Sequence, residues 1–286
     1  MEFGVFYASA GPWVTAAGAA TLARAAEDLG FDALWAIDHA VLPSQFASRY
    51  RTEGGSWEVP DDYPIADPLV WLAYVAAHTE RIRLATGVLV TSTRNPVTLA
   101  KAAASLDLLS QGRLVLGLGA GWLDEELKAC GAALDQRGAR LAECIEVMRT
   151  LWREPVASFG GRFTSFYDVV LSPKPPNGTV PIVLGGRTEL AARRAGRLAD
   201  GFFPHHRDPE VLAPLFEVAL AAAVDAGRDP SALQLIAGGA RRPEDLERLA
   251  GLGVGHVVFS PRASDPSEVK DALGRYLDAV VRPWQG

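Results

Sequence analysis

Asp38-His39 is the pair in this chain best suited to acid–base chemistry. It closes a short apolar run that reads as a strand. At such a strand end a histidine can face a cavity, donating a proton or stabilising developing negative charge. A purely structural histidine, hydrogen-bonded to the following loop, fits the residues equally well. A second locus is Thr86-Gly87-Val88, inside the apolar run over residues 82–90. Glycine within a strand marks a bulge or the close approach of another group. Two further stretches, Gly119-Ala120-Gly121 and Gly185-Gly186-Arg187-Thr188, are strand-to-helix turns almost stripped of side chains. Such turns present backbone N–H groups at a helix N-terminus and suit a phosphate. Arg187 adds a fixed positive charge. Either turn alone is weak evidence, and two at strand ends say more.

Other chemistries find no support. The chain has no nucleophile elbow, no metal-type histidine pair and no Walker-type loop. His205-His206 falls close to a strand end, but adjacent side chains diverge and no acidic partner stands nearby, so no metal site is expected. His78 and His256 fit structural roles.

These residues need a scaffold that gathers strand ends. Strand-type runs cover residues 3–8, 31–37, 82–90, 113–118, 181–184, 199–203, 233–238 and 256–259. Helix-type runs alternate with them over 15–29, 67–78, 96–109, 123–152, 190–198, 209–226, 243–250 and 267–280. Eight strands, each followed by a helix, predict an α/β fold, a (β/α)8 TIM barrel, forming one domain over residues 1–286. Its active site belongs at the strand C-termini. Two segments exceed the simple alternation: a long loop after strand 2 (residues 39–66) and a hairpin-like insertion before strand 5 (residues 159–176). The first carries Phe46, Arg49, Tyr50, Arg51, Trp57 and Tyr63, suited to closing over a ligand. A surface excursion without a role is the alternative.

Composition excludes several classes. The chain has 286 residues, 49% hydrophobic and 22% charged, with a net charge of −6 and no run of like charges. Nucleic-acid binding, which needs clustered positive charge, is not expected. No apolar run is long enough to span a membrane, and no leader is visible at the first residues. Two cysteines without metal-type spacing suggest a reducing, cytoplasmic location.

Several strings together resemble one family. They are Ala25-Ala26-Glu27-Asp28-Leu29-Gly30-Phe31-Asp32-Ala33-Leu34-Trp35 running into Asp38-His39, Thr79-Glu80-Arg81-Ile82-Arg83-Leu84-Ala85-Thr86-Gly87-Val88, and Arg94-Asn95-Pro96. Leu106-Asp107 to Gly112-Arg113-Leu114, Gly117-Leu118-Gly119-Ala120-Gly121-Trp122, and Pro181-Ile182-Val183-Leu184-Gly185-Gly186 leading to Asp200-Gly201-Phe202 continue the series. They resemble the luciferase-like monooxygenase superfamily, and within it the oxidoreductases that use the deazaflavin coenzyme F-420. The likeness runs from the first strand to about Pro204.

The resemblance implies a non-proline cis peptide at Gly87–Val88, pressed against the back of the coenzyme ring and bending it. It implies coenzyme contacts from Asp38, Thr86, Gly87 and Val88, and His39 with Asp38 as the acid–base centre. Gly119, Ala120 and Gly121, and Gly185, Gly186, Arg187 and Thr188, become phosphate-side turns. Arg49, Arg51, Arg94 and Arg187 are candidates for the coenzyme's anionic tail. The implied reaction is hydride transfer between the deazaflavin C5 and a small, mostly apolar substrate held by Trp13, Trp57, Trp122, Phe202 and Phe203. A homodimer and a separate reductase that renews the coenzyme follow from the same likeness. An FMN-dependent monooxygenase fed by a reductase, and a non-catalytic flavin-binding barrel, are the alternatives. A sugar-phosphate dehydrogenase of the family carries an acid where this chain has Trp122, and lysines that find no counterpart here. That substrate is not expected.

Overall fold

The computed structural model describes residues 1–44, 62–263 and 265–285; the expectations placed on Phe46, Arg49, Tyr50, Arg51 and Trp57 lie outside them. Its strands are β1 (Glu2–Phe6), β2 (Ala33–Ala36), β3 (Arg83–Thr86), β4 (Leu89–Val90), β5 (Leu114–Gly119), β6 (Ala157–Gly160), β7 (Ser165–Val169), β8 (Ile182–Gly185), β9 (Gly201–Phe203), β10 (Gln234–Gly238) and β11 (Val254–Phe259). β1 pairs in parallel with both β2 and β11, and β3 pairs with β5, so the main sheet closes on itself. β4 resumes β3 after two residues and also pairs with β5. Counted this way the barrel has eight parallel staves. It is a (β/α)8 TIM barrel. β6 and β7 form a separate antiparallel hairpin, the insertion expected before strand 5.

The outer ring comprises α1 (Ala16–Asp28), α2 (Pro68–Ala76), α3 (Pro96–Leu109), α4 (Asp124–Ala129), α5 (Arg137–Arg153), α6 (Glu189–Leu198), α7 (Pro209–Asp225), α8 (Pro243–Gly251) and α9 (Val269–Tyr276). Three of them start alike. Asp67, Asn95 and Asp208 accept hydrogen bonds from the first-turn N–H groups, and proline occupies the opening position, where its missing N–H costs nothing. The run over 123–152 is interrupted: α4 ends at Ala129 and α5 starts at Arg137.

Side chains sort into two layers of core. Leu34, Leu84, Leu116 and Ile182 face outward onto the helices, with Leu22, Leu72, Leu99 and Ile145 opposite them. Phe6, Trp35, Ala85, Val115, Val183, Phe203, Ile236 and Val258 fill the barrel interior. Trp35 is its largest member, 2% exposed. Its neighbours are correspondingly small. A Cβ on Gly4 would lie 2.6 Å from Trp35 Nε1, and one on Gly87 3.0 Å from Trp35 Cε3.

Trp35 Nε1 donates to His256 Nε2 at 3.1 Å, and His256 Nδ1 lies 3.1 Å from Glu2 Oε2. Because Nε2 accepts, the proton of the neutral ring sits on Nδ1 and is given to Glu2. Arg83 and Gln234 also bond Glu2. Burial pushes the His256 imidazole below its ordinary 6.5, against the pull of Glu2. The hydrogen bond from His256 leads the causes that take Glu2 down to about 2. The signs agree. Below about pH 6.5 the unfolded chain binds a proton at His256 that the fold excludes, so stability falls on acidification by up to about 1.4 kcal/mol per pH unit for that group. The Glu2 contribution is present above its ordinary 4.5 and is lost from there towards 2. Urea titrations at pH 7.5 and 5.5 are expected to show this loss, and His256→Gln to flatten the difference between the two pH values.

Candidate active site

A cavity of about 760 Å3 opens at the C-terminal ends of the staves. Tyr7, Ile37, Asp38 and His39 line it from β1 and β2, and Gly87, Val88 and Val90 from the third stave. Gly119, Ala120, Gly121 and Trp122 follow β5; Gly185, Gly186, Arg187 and Thr188 follow β8; Phe203, Pro204 and His205 end the β9 side. Of the described residues singled out in the sequence for coenzyme contact, Thr86 and Arg94 stay outside; Thr86 belongs to the wall. Its hydroxyl donates to Gly117 O at 2.6 Å in the barrel wall, and the residue is fully buried.

The expected strand over 82–90 is broken at its centre by a cis Gly87–Val88 peptide. The break turns the Val88 side chain towards the next staves. A Cβ on Gly119 would meet Val88 Cγ2 at 2.6 Å, and one on Gly185 would meet Val88 Cγ1 at 2.8 Å. These two glycines therefore make room for valine methyls, a reason distinct from phosphate binding. Gly121 and Gly186 serve the turns: both have positive φ, at +86° and +137°, which glycine adopts at no steric cost. The second turn leads into α6, where Thr188 Oγ1 accepts from Ala191 N at 3.2 Å. Arg187 donates to His205 O at 2.6 Å.

Asp38 and His39 point to different tasks. The Asp38 carboxylate is turned into the wall, taking Val90 N–H at 2.9 Å and Arg94 Nη2 at 3.0 Å. Burial raises its pKa, opposed chiefly by Arg94. Arg94 also reaches Asp67 at 3.0 Å, so it is engaged at the base of the long loop and does not line the cavity as a tail-binding cation. His39 lines the cavity; its Nδ1 lies 3.0 Å from Glu126 Oε2, and Trp122 packs edge-on at 5.9 Å. Glu126 is 1% exposed, and its other oxygen takes Ala40 N–H at 2.5 Å.

Sequence reasoning missed Glu126. It sits in Asp124-Glu125-Glu126, which reads as an ordinary acidic first turn of a helix. Its place one turn beyond Trp122 was the sole hint. Arg137 and Arg194 were also missed; both line the cavity near Arg187 and the start of α6. His205 is a further wall residue, at φ +60° with its ring 4.9 Å from Phe6 and 5.2 Å from Phe203. Burial first, then Arg187 and His206, pushes its imidazole down to about 3. Not all of the expected aromatic mouth assembles. Trp122 and Phe203 line the cavity, whereas Trp13 is buried beneath α2, its carbonyl taking the Trp71 indole N–H, and Phe202 faces Phe216 of α7. Tyr63 packs on the inner cluster. Among the described residues no cluster of three potential metal ligands occurs, and no helix is long and apolar enough to cross a membrane.

The fold is a TIM barrel with its cavity at the C-terminal face of the staves, where enzymes of this fold keep their active sites. Residues 1–242 match the luciferase-like monooxygenase family, and the chain belongs to that family. An uncharacterized Mycobacterium tuberculosis protein is 36% identical over 287 residues, with 98% of each chain aligned. The F-420-dependent glucose-6-phosphate dehydrogenase of Amycolatopsis mediterranei is 35% identical over 181 residues, 62% of this chain and 50% of that one. Among solved structures, an F-420-dependent secondary alcohol dehydrogenase in complex with an F-420–acetone adduct superposes with a TM-score of 0.80 at 19% identity over 98% of both chains. A monooxygenase from Streptomyces bottropensis gives 0.77 at 22% identity, over 99% of this chain and 100% of that one. At such identities the structural likeness speaks for the fold.

Gly119→Ala should force Val88 aside and cost about 1–3 kcal/mol, the usual penalty of overpacking. Gly160→Ala, where an added Cβ meets nothing within 4 Å, serves as the control. Thermal melts of the two variants are expected to separate by several degrees; equal melting temperatures would show that the Val88 contact is not a constraint.

Proposed function

We propose that this chain is a coenzyme F-420-dependent oxidoreductase that moves a hydride between the deazaflavin C5 and a small, mostly apolar organic substrate. One observation carries the reading: His39, backed by a buried carboxylate, shares a cavity of about 760 Å3 with the Gly87–Val88 bulge and with Arg137, Arg187 and Arg194.

The residues present suit such a coenzyme. Gly87, Val88, Gly119, Ala120 and Gly121 would hold the ring side, with Asp38 fixing the backbone just past the bulge through Val90 N–H. Gly185, Gly186, Arg187 and Thr188, joined by Arg137 and Arg194, would meet an anionic tail at the α6 N-terminus. Bound there, a deazaflavin supplies hydride chemistry at C5, whereas reduced FMN supplies oxygen activation. His39 holds or moves the proton that accompanies reaction at a substrate oxygen. Ile37, Trp122 and Phe203 exclude water and favour an apolar substrate. No lysine lines the cavity among the described residues, which argues against a sugar phosphate even though the Amycolatopsis relative is named for one. The same reading includes a separate enzyme that renews the coenzyme, a cytoplasmic setting and a homodimer. Gel filtration tests the homodimer.

Fluorescence titration of the purified protein with oxidised F-420 and, separately, FMN tests the assignment. Saturable F-420 binding is expected, tighter than FMN by tenfold or more. Tight FMN binding without F-420 binding overturns it, and oxygen uptake coupled to substrate hydroxylation would then identify a monooxygenase. Arg194→Ala is expected to weaken F-420 binding about tenfold, the loss of one charge-assisted contact, with an unchanged melting temperature.

A further inference from the structure

Glu126 belongs to none of the motifs that singled out the cavity, yet it is the group against which His39 is set. Its carboxylate is 1% exposed. A buried carboxylate is costly unless hydrogen-bonded and charge-balanced. Glu126 meets that cost with two donors: Ala40 N–H at 2.5 Å to Oε1, and His39 Nδ1 at 3.0 Å to Oε2. Among the described residues no lysine or arginine stands within ion-pair distance of it, and His39 is its one side-chain partner. The bond to Ala40 fastens the carboxylate to the backbone immediately after His39, so the two groups keep register. Trp122, edge-on at 5.9 Å with planes at 88°, packs the ring from the side. Asp38, the other carboxylate nearby, is occupied by Arg94 and Val90 N–H.

We propose that Glu126 is a positioning residue that fixes His39 as its Nδ1-protonated tautomer, so that Nε2 is the basic nitrogen on the cavity side of the ring. An ionised carboxylate has acceptors alone, so the hydrogen in the 3.0 Å contact belongs to Nδ1. The substrate oxygen then deals with Nε2. For a hydroxyl substrate, the O–H bond would break as an Nε2–H bond forms and the oxygen's electron pair becomes the carbonyl π bond; a bound oxidised deazaflavin would supply the acceptor for the hydride leaving carbon. The imidazolium so formed stands beside the Glu126 carboxylate, which offsets its charge. In the reverse direction the same proton returns to the carbonyl oxygen. This step rests on the function proposed above.

The tautomer can be read without substrate or coenzyme. Long-range 1H–15N NMR on uniformly 15N-labelled protein, at alkaline pH where imidazoles are neutral, distinguishes the two forms, and His39→Asn assigns the signal by its disappearance. The wild-type ring is expected to carry its proton on Nδ1. In Glu126→Gln the amide can keep Ala40 N–H on its oxygen and donate its own N–H to Nδ1, moving the ring proton to Nε2. A wild-type ring protonated on Nε2 overturns the proposal, as does the same tautomer in both proteins. Should Glu126→Gln fail to fold, the wild-type spectrum decides by itself. F-420 titration of both proteins separates the two levels. Glu126→Gln is expected to bind F-420 within about twofold of wild type, and a wild type that binds none refutes the cofactor assignment while leaving the tautomer result standing.

Discussion

The indole of Trp35 decides how deep the cavity can be. It occupies the interior of the barrel, and neighbouring staves can approach it because Gly4 and Gly87 bring no side chain. A Cβ on Gly117, 3.6 Å from the same ring, would also lie 1.8 Å from the Thr86 carbonyl oxygen. Close packing of this kind leaves no room for a ligand lower in the barrel. The ligand space therefore begins above Phe6, Trp35 and Phe203, at the level of the Gly87–Val88 bulge. Val88 in turn claims the volume that side chains at 119 and 185 would take. One large ring thus propagates into a series of glycines, and those glycines give the mouth its open backbone.

Two buried carboxylates divide the electrostatic work. Asp38 and Glu126 are 5% and 1% exposed, a state tolerated when each is compensated. Asp38 is compensated by Arg94 and a backbone N–H, and its effect is to tie the end of β2 to the residue past the bulge. Glu126 is compensated by His39 and Ala40 N–H, and its effect falls on the imidazole that lines the cavity. The adjacent Asp38 and His39 thus serve unlike purposes because their hydrogen bonds go to different partners, Arg94 and Val90 N–H for one and Glu126 for the other. The cation set is likewise split: Arg94 is spent on structure, whereas Arg137, Arg187 and Arg194 line the cavity.

The sequence by itself determined the barrel, the strand ends that meet at its mouth, and membership of the bulged, glycine-lined class. Strand and helix periodicities are local properties, and the glycines of Thr86-Gly87-Val88 and Gly119-Ala120-Gly121 record positions where a side chain has no room or, at Gly121, where φ is positive. Tertiary structure alone decided which polar groups touch. Glu126 lies 87 positions from His39, and nothing in an acidic helix start announces a partner across the mouth. Asp38 reads as half of a catalytic pair until Arg94 is seen to claim it. Phe202 and Phe203 look alike in sequence, and only the inward or outward sense of β9 separates core from cavity. The physical reason is the range of the forces: backbone preferences act between neighbours in the chain, while charge compensation and side-chain volume act between neighbours in space.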